Sequence, residues 1–529
     1  MKTNWKYISI LLILMTSIAC QDELADRYLN PDKTTSPTLD KFFTAMLNHN
    51  RVRPSYWEMS TFVNWHIGVY TQSVGFLNSE SMYQENASYI QDRWNDFYRP
   101  GPNGSGVVAH FREIERLYTG LSESEKINNE IFLRTSQVFL YDQLTQMVDL
   151  WGDVPFSEAG MLNKTGDIVY PKFDSAEEIY EDAIQELKDI AEYLSAEELT
   201  PATQLLFAKQ DILLNGSIDQ WRRYANSLRL RLLLRISFVE EANAREEAMA
   251  LLGDEEKYPL LNDVNYKPST DDILLTPLVD YVDDLHAAFT DWTNYPAPYF
   301  MLEEVLKPAN DLRIPVLFDK YGSQINNQFS PNTEFKAMPL TLSRIEQQAV
   351  LGMYAIIDST TFLYNAKLPG VIMTAAEVNF LKAEAFERWG GGDAGLEYRK
   401  GIQHSIEFYY YLNNLNTGRT ILPPPSPQEI EQFLDESLFI QYQGSEEERL
   451  SKIWAQKWVH FGFLQTVQRW AEQRRTSYPK LNFFHSSLPG YELPPSRLVY
   501  PSSERALNKN YQNVAADDKR DAKIFWDVQ

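Results

Sequence analysis

Residues 374–412, TAAEVNFLKAEAFERWGGGDAGLEYRKGIQHSIEFYYYL, decide the fold. The run from Thr374 to Trp389 carries Val378, Leu381 and Ala385 at helical spacing. The run from Asp393 to Leu412 carries Tyr398, Ile402, Ile406 and Tyr409 on one helical face. Gly390, Gly391 and Gly392 join them, and so short a connection forces two helices to lie antiparallel. Ala375, Ala376, Ala383 and Ala385 keep the first helix thin enough for the second to approach closely.

The same signature recurs along the chain. Ser175 with Glu178, Ser217 with Gln220, Thr374 with Glu377, and Ser426 with Glu429 each have the spacing of a capping box, in which two orphan N–H groups at a helix start are satisfied reciprocally. Each opens an apolar stripe, such as Ile179, Ala183, Ile184, Leu187, Ile190 and Leu194 after Ser175. Further helical runs are expected over 39–47, 56–71, 89–98, 107–121 and 127–150, the second of them apolar on nearly all faces and therefore buried. The fold class expected is all-α: a scaffold of helix pairs resembling tetratricopeptide (TPR) construction, without a strict repeat. Long irregular insertions interrupt it, the two richest in aromatics at about 76–89 and 281–370.

The chain opens as a secretory signal. Lys2 and Lys6 precede a dozen-residue apolar run from Tyr7 to Ile18, too short to span a bilayer. Ala19 is a small residue at a cleavage point, and Cys20 follows. Cys20 is the only cysteine in 529 residues, so no internal disulfide forms and thiolate metal sites are excluded. Its position fits lipidation after cleavage. Residues 1–19 are then a signal peptide, 20–36 a lipidated acidic tether, and 37–529 a single helical domain.

Composition is that of a globular protein, with 13% aromatic residues and a net charge of −24. That field repels phosphate backbones, which argues against a nucleic-acid partner. It also repels an anionic leaflet, so membrane attachment rests on acyl chains.

Several segments resemble, in order, those of SusD/RagB-type outer-membrane lipoproteins of the Bacteroidetes. WGDVPFSEAG (151–160) is similar to the family's W/Y-G-D-V-P-y-s-e-A segment. DILLNGSIDQWRRYANSLRLRLLLRIS (211–237) is similar to W-x-x-x-A-N-S-L-x-L-R. NDLRIPVLF (310–318) resembles D-P-R-l-p, with Leu312 where Pro is usual. MTAAEVNFLKAEA (373–385), QKWVHFGFLQTVQRWAEQRRTSYP (456–479) and PSRLVYPSSE (495–504) complete the series, with Ser477 in place of Gly. The resemblance implies a surface-exposed, lipid-anchored, non-enzymatic protein of the outer membrane. It captures an oligosaccharide, or in the RagB branch a peptide, for a SusC-like TonB-dependent transporter.

The residues agree in what they lack. There is no G-x-S-x-G elbow, P-loop, H-E-x-x-H or Gly-rich dinucleotide turn. The seven histidines are scattered, no metal or cofactor is called for, and Glu377 and Glu384 read as cap and packing-edge residues. A glycoside hydrolase needs two well-placed carboxylates, whose separation sequence does not reveal. A TPR-type adaptor for another protein is a further alternative.

A sugar offers apolar C–H faces and hydroxyl edges, so a site that only binds it needs aromatic platforms beside amide or carboxylate groups. Trp292, Tyr295 and Tyr299, with Asp291 and Asn294 among them, supply this; Pro296 and Pro298 keep that stretch out of a regular helix. Tyr83 with Asn78 forms a second candidate and Tyr364 a third. Trp151, Trp221, Trp389, Trp458 and Trp470 lie on or beside helical stripes and are assigned to the core.

Overall fold

The structure, a computed structural model, describes residues 38–278, 285–291, 293–325 and 328–529. The signal peptide, Cys20, the tether and Trp292 lie outside the described residues. Among these no helix is long and apolar enough to cross a membrane.

The main helices are α1 (Leu39–Leu47), α2 (Ala87–Tyr98), α3 (Val107–Thr119), α4 (Glu123–Trp151), α5 (Ala176–Ala196), α6 (Pro201–Gln210), α7 (Ile218–Ile236), α8 (Glu241–Leu252), α9 (Ala375–Trp389), α10 (Ala394–Asn414), α11 (Pro427–Glu436), α12 (Glu446–Phe461) and α13 (Thr466–Thr476). They stack as pairs: α4 packs on α3 and α5, α5 on α7, α7 on α8 and α9, and α9 on both α10 and α12. The fold is all-α and TPR-like.

The α9–α10 pair forms as its sequence requires. Gly390 and Gly391 adopt φ of 74° and 87°, the left-handed region that a residue with a Cβ enters at a cost. The close approach, however, also depends on a glycine of the second helix. A Cβ on Gly401 would lie 2.6 Å from the ring of Phe380. Gly401→Val is therefore expected to overpack this contact and cost about 1–3 kcal/mol in urea denaturation.

All four predicted caps accept the expected backbone N–H: Ser175 from Glu178, Ser217 from Gln220, Thr374 from Glu377 and Ser426 from Glu429. Only Ser426–Glu429 is shown as a reciprocal box. Glu377 is drawn off by a stronger partner, since Arg231 donates Nε and Nη2 to its two oxygens at 2.6 and 2.8 Å. Gln220 instead donates to the Thr270 carbonyl.

Those contacts belong to a network of buried charges. Arg231 and Arg235 stand four residues apart on α7, hence on one face. Arg231 also reaches Asp142, and Arg235 joins Asp149 and Glu472. Arg475 holds Glu384 through both Nη1 and Nη2 at 2.7 Å and reaches Glu472 from the same guanidinium. Lys457 completes the set at 2.5 Å from Glu472. Glu384 is thus no packing-edge residue; it sits fully buried at the centre of the stack.

Two hydrophobic cores form among the described residues. The first fills the stack from α1 to α9 and contains Trp151, Trp221 and Trp470; Trp389 packs half-buried against its edge. The second lies between α10, α11, α12 and the 281–370 insertion, and contains Trp458. The insertion is therefore a folded layer: Phe289 and Phe362 both pack edge-on against Phe463, with centroids 5.0 and 4.9 Å away. Its base is stapled by a two-stranded antiparallel pairing of Ile273–Leu275 with Gly370–Met373. Two further strand pairs, 318–319 with 356–357 and 322–325 with 328–331, stiffen its interior.

Candidate functional site

The segment after α1 forms a π-helix, Glu58–Ile67, in place of the expected α-helix. Its wider turn, closed by i→i+5 bonds, re-sorts side chains relative to a 3.6-residue wheel. The stretch is buried as expected except at Trp65, which is half-buried, and Trp57 just before it is 48% exposed.

Asn64, on the same π-helix, points inward and binds the 285–299 stretch. Its Nδ2 donates to the Ala288 carbonyl at 2.8 Å, and its own carbonyl accepts from Asn294 Nδ2 at 3.2 Å. The chain then turns at Gln72, with φ of 49°, and runs against that stretch a second time. Gly75 N–H donates to the Pro296 carbonyl at 3.1 Å. A Cβ at Gly75 would meet that oxygen at 2.3 Å, so only glycine allows the contact.

Asn78 continues the construction as a brace. Its N–H donates to Gln347 Oε1 at 2.6 Å, and its Nδ2 donates to the Leu340 and Leu342 carbonyls, both at 2.7 Å. This fixes the start of the short helix Arg344–Val350, which Ser343 and Glu346 cap reciprocally.

These four segments line a groove of about 220 Å³. Trp65 and Phe76 give it aromatic surface, and Ser79, Ser81, Asn294 and Arg344 give it polar groups. Tyr89, at the capped start of α2, meets Trp65 edge-on at 5.8 Å and 86° and orients the indole. Arg344 is the one ionisable side chain among the lining residues; no carboxylate or imidazole is present there.

The predicted site residues divide accordingly. Asn294 lines the groove, yet it is buried and serves as a clasp. Asp291 is exposed and accepts from the Tyr56 hydroxyl at 2.7 Å, a bond that pushes the phenol's pKa up. Tyr295 is half-buried, with Tyr321 edge-on to it at 6.4 Å. Tyr299 is half-buried against the second core, at the head of a π-helix running Phe300–Leu306.

Three candidates are tied into the fold. Tyr83 is fully buried, its hydroxyl donating to the Phe484 carbonyl at 2.9 Å, and burial pushes its phenol up. Asn78 is buried as the brace just described. Tyr364 is exposed, with His286 stacked on its ring at 4.7 Å and Arg419 lying 3.9 Å from its centroid. Trp65, Tyr89, Ser79, Ser81 and Arg344 were not singled out from the sequence, although Ser79, Ser81 and Tyr89 lie in the 76–89 insertion. Polar residues flanking a buried run carry no signal of which face they share, and the π-helix hides the one indole that does.

No curated protein matches the chain. Solved structures do. A chitin-binding protein is similar at 22% identity and TM-score 0.73, covering 93% of this chain and 100% of its own. A chitin-binding SusD homolog from Flavobacterium johnsoniae is similar at 21% and 0.68, covering 93% and 99%. A SusD homolog from Bacteroides thetaiotaomicron is similar at 20% and 0.67, covering 93% and 100%. At this identity the likeness establishes the shared fold. The family model described as "Starch-binding associating with outer membrane" matches residues 31–501, nearly the whole chain, and the protein belongs to that SusD-like family.

Proposed function

We infer that the protein is a glycan-binding lipoprotein, anchored through Cys20 and exposed at the cell surface. It holds an oligosaccharide in the Trp65 groove and passes it, uncleaved, to a SusC-like TonB-dependent transporter. One observation carries the reading: aromatic surface and amide, hydroxyl and guanidinium groups converge on a groove that no carboxylate lines. An indole face suits the C–H side of a pyranose, and the polar groups suit its hydroxyls. Glycoside hydrolysis requires a pair of acids across the scissile bond, and this lining offers none. Arg344 as the sole lining charge also disfavours basic peptides, which the overall negative charge would otherwise attract. Membership of a family described as starch-binding, and relatives described as chitin-binding, support the ligand class. Trp292, outside the described residues, stays in this reading a ligand contact proposed from sequence alone.

Affinity electrophoresis against a glycan panel tests the proposal. Retardation by at least one glycan is expected, and Trp65→Ala should weaken it by roughly thirtyfold, or about 2 kcal/mol, the scale of losing a central aromatic anchor. No reducing ends should be released. Unchanged retardation by Trp65→Ala would remove the groove from the reading, and released sugar would replace binding with catalysis.

A further inference from the structure

A second cavity, of about 390 Å³, lies between the π-helix Phe300–Leu306, α12 and the Tyr478–Pro479 turn. It shares no lining residue with the groove. Its volume falls in the range of small-molecule sites, roughly 300–1,000 Å³. Phe300, Tyr398, Phe439 and Tyr478 supply aromatic walls, and Phe439 stands 45% exposed among them.

The polar groups are more telling. Gln456 is only 2% exposed, and its Oε1 accepts from Arg313 Nη2 at 2.5 Å. Arg313 is itself pinned by Asp311 and Ser405, so the amide cannot turn over. Its NH₂ group makes no hydrogen bond among the described residues, and Gln456 belongs to the cavity lining. Two of the other lining charges are engaged: Glu448 accepts from the Ser445 N–H at 2.7 Å, and Lys452 donates to the Gln441 and Gln443 carbonyls. Glu304 is exposed and forms no ion pair among the described residues. The cavity thus presents aromatic faces, one buried donor and one free carboxylate acceptor.

We propose that this cavity is a second carbohydrate-binding site, which takes a pyranose ring of an oligosaccharide. A sugar lays its C–H face on the rings, gives Gln456 an oxygen acceptor and offers hydroxyl donors to Glu304. An apolar side chain from a partner protein would fill the same walls but leave the Gln456 amide desolvated and unpaired. The ligand class rests on the glycan reading of the groove, whereas the site stands apart from it.

Titration calorimetry of the intact chain with chito-, malto-, xylo- and manno-oligosaccharides decides the matter, with thermal melting to confirm that each variant folds. Two sites per chain are expected. Ala455→Trp, which fills the cavity from α12, should leave one. Phe439→Ala, at an exposed position that spares the core, should weaken the cavity site at least fivefold, and Trp65→Ala should weaken the groove site roughly thirtyfold. A single site weakened by Trp65→Ala and indifferent to Ala455→Trp and Phe439→Ala overturns the cavity and leaves the groove standing. A single site lost with Ala455→Trp and indifferent to Trp65→Ala does the reverse. Absence of binding to every sugar overturns both.

Discussion

Arg475→Met is expected to destabilise the protein by about 3–5 kcal/mol, the cost of stranding buried charges when one partner is removed. Arg475 is fully buried and bonds Glu384 twice and Glu472 twice. Methionine fills much of the same space, so the loss reports charge rather than a cavity. Set against the total stability of an ordinary domain, roughly 5–15 kcal/mol, the effect is severe. Urea denaturation measures it, and a loss under about 1 kcal/mol would show that the remaining cations, Lys457, Arg235 and Arg388, suffice. The double variant Arg475→Met, Glu384→Gln should recover part of the loss, because it removes one of the stranded anions.

The same network sets the acid response. Burial pushes the Glu384 carboxyl up, but Arg475 and Lys457 outweigh it and hold the group down to about 2. Glu472 is held well below the ordinary carboxylate value by the same cations together with Arg235. A folded-state pKa below the unfolded value of 4.5 means this stabilisation is complete above about pH 4.5. It drains away as pH falls toward 2. Stability should therefore drop steeply across that window in the natural protein and more gently in Arg475→Met.

Gly75→Ala is expected to act at the groove instead. The added Cβ would sit 2.3 Å from the Pro296 carbonyl oxygen and 2.8 Å from its carbonyl carbon, so backbone must move. Overpacking of this kind costs about 1–3 kcal/mol. Its larger effect falls on ligand affinity. The shift parts the Phe76–Met82 wall from the Asn294 wall by more than the roughly 0.5 Å that a preorganised site tolerates. Affinity for whichever glycan the natural protein retains should fall roughly tenfold or more, about 1.4 kcal/mol. Gly120→Ala, whose nearest contact would be an ordinary 3.5 Å, serves as the control and should change neither property. Equal affinity in both variants would mean that the two walls do not act together.

The scaffold was legible because its signals are local. The glycine-joined pair at 374–412, the Ser and Thr caps and the apolar stripes all lie within one or two helical turns of what they specify. Buried polar chemistry was not legible in that way. Glu384 reads as a packing-edge residue until α12 and α13 bring Lys457 and Arg475 to it across more than seventy residues. Asn78 and Tyr83 have the composition of an exposed loop, yet their partners Leu340 and Phe484 lie hundreds of residues away. Within the site, the pairing of the 76–89 and 291–299 stretches was anticipated only as two separate loops. Trp65 was hidden by a π-helical turn that a 3.6-residue period cannot describe.

The possession of two separate interiors has an evolutionary corollary. Substitutions far apart, with no shared partners, combine their energies almost independently. Sequence drift in the layer around Phe289, Phe362 and Phe463 can therefore proceed while the Arg235–Glu472 girder stays intact.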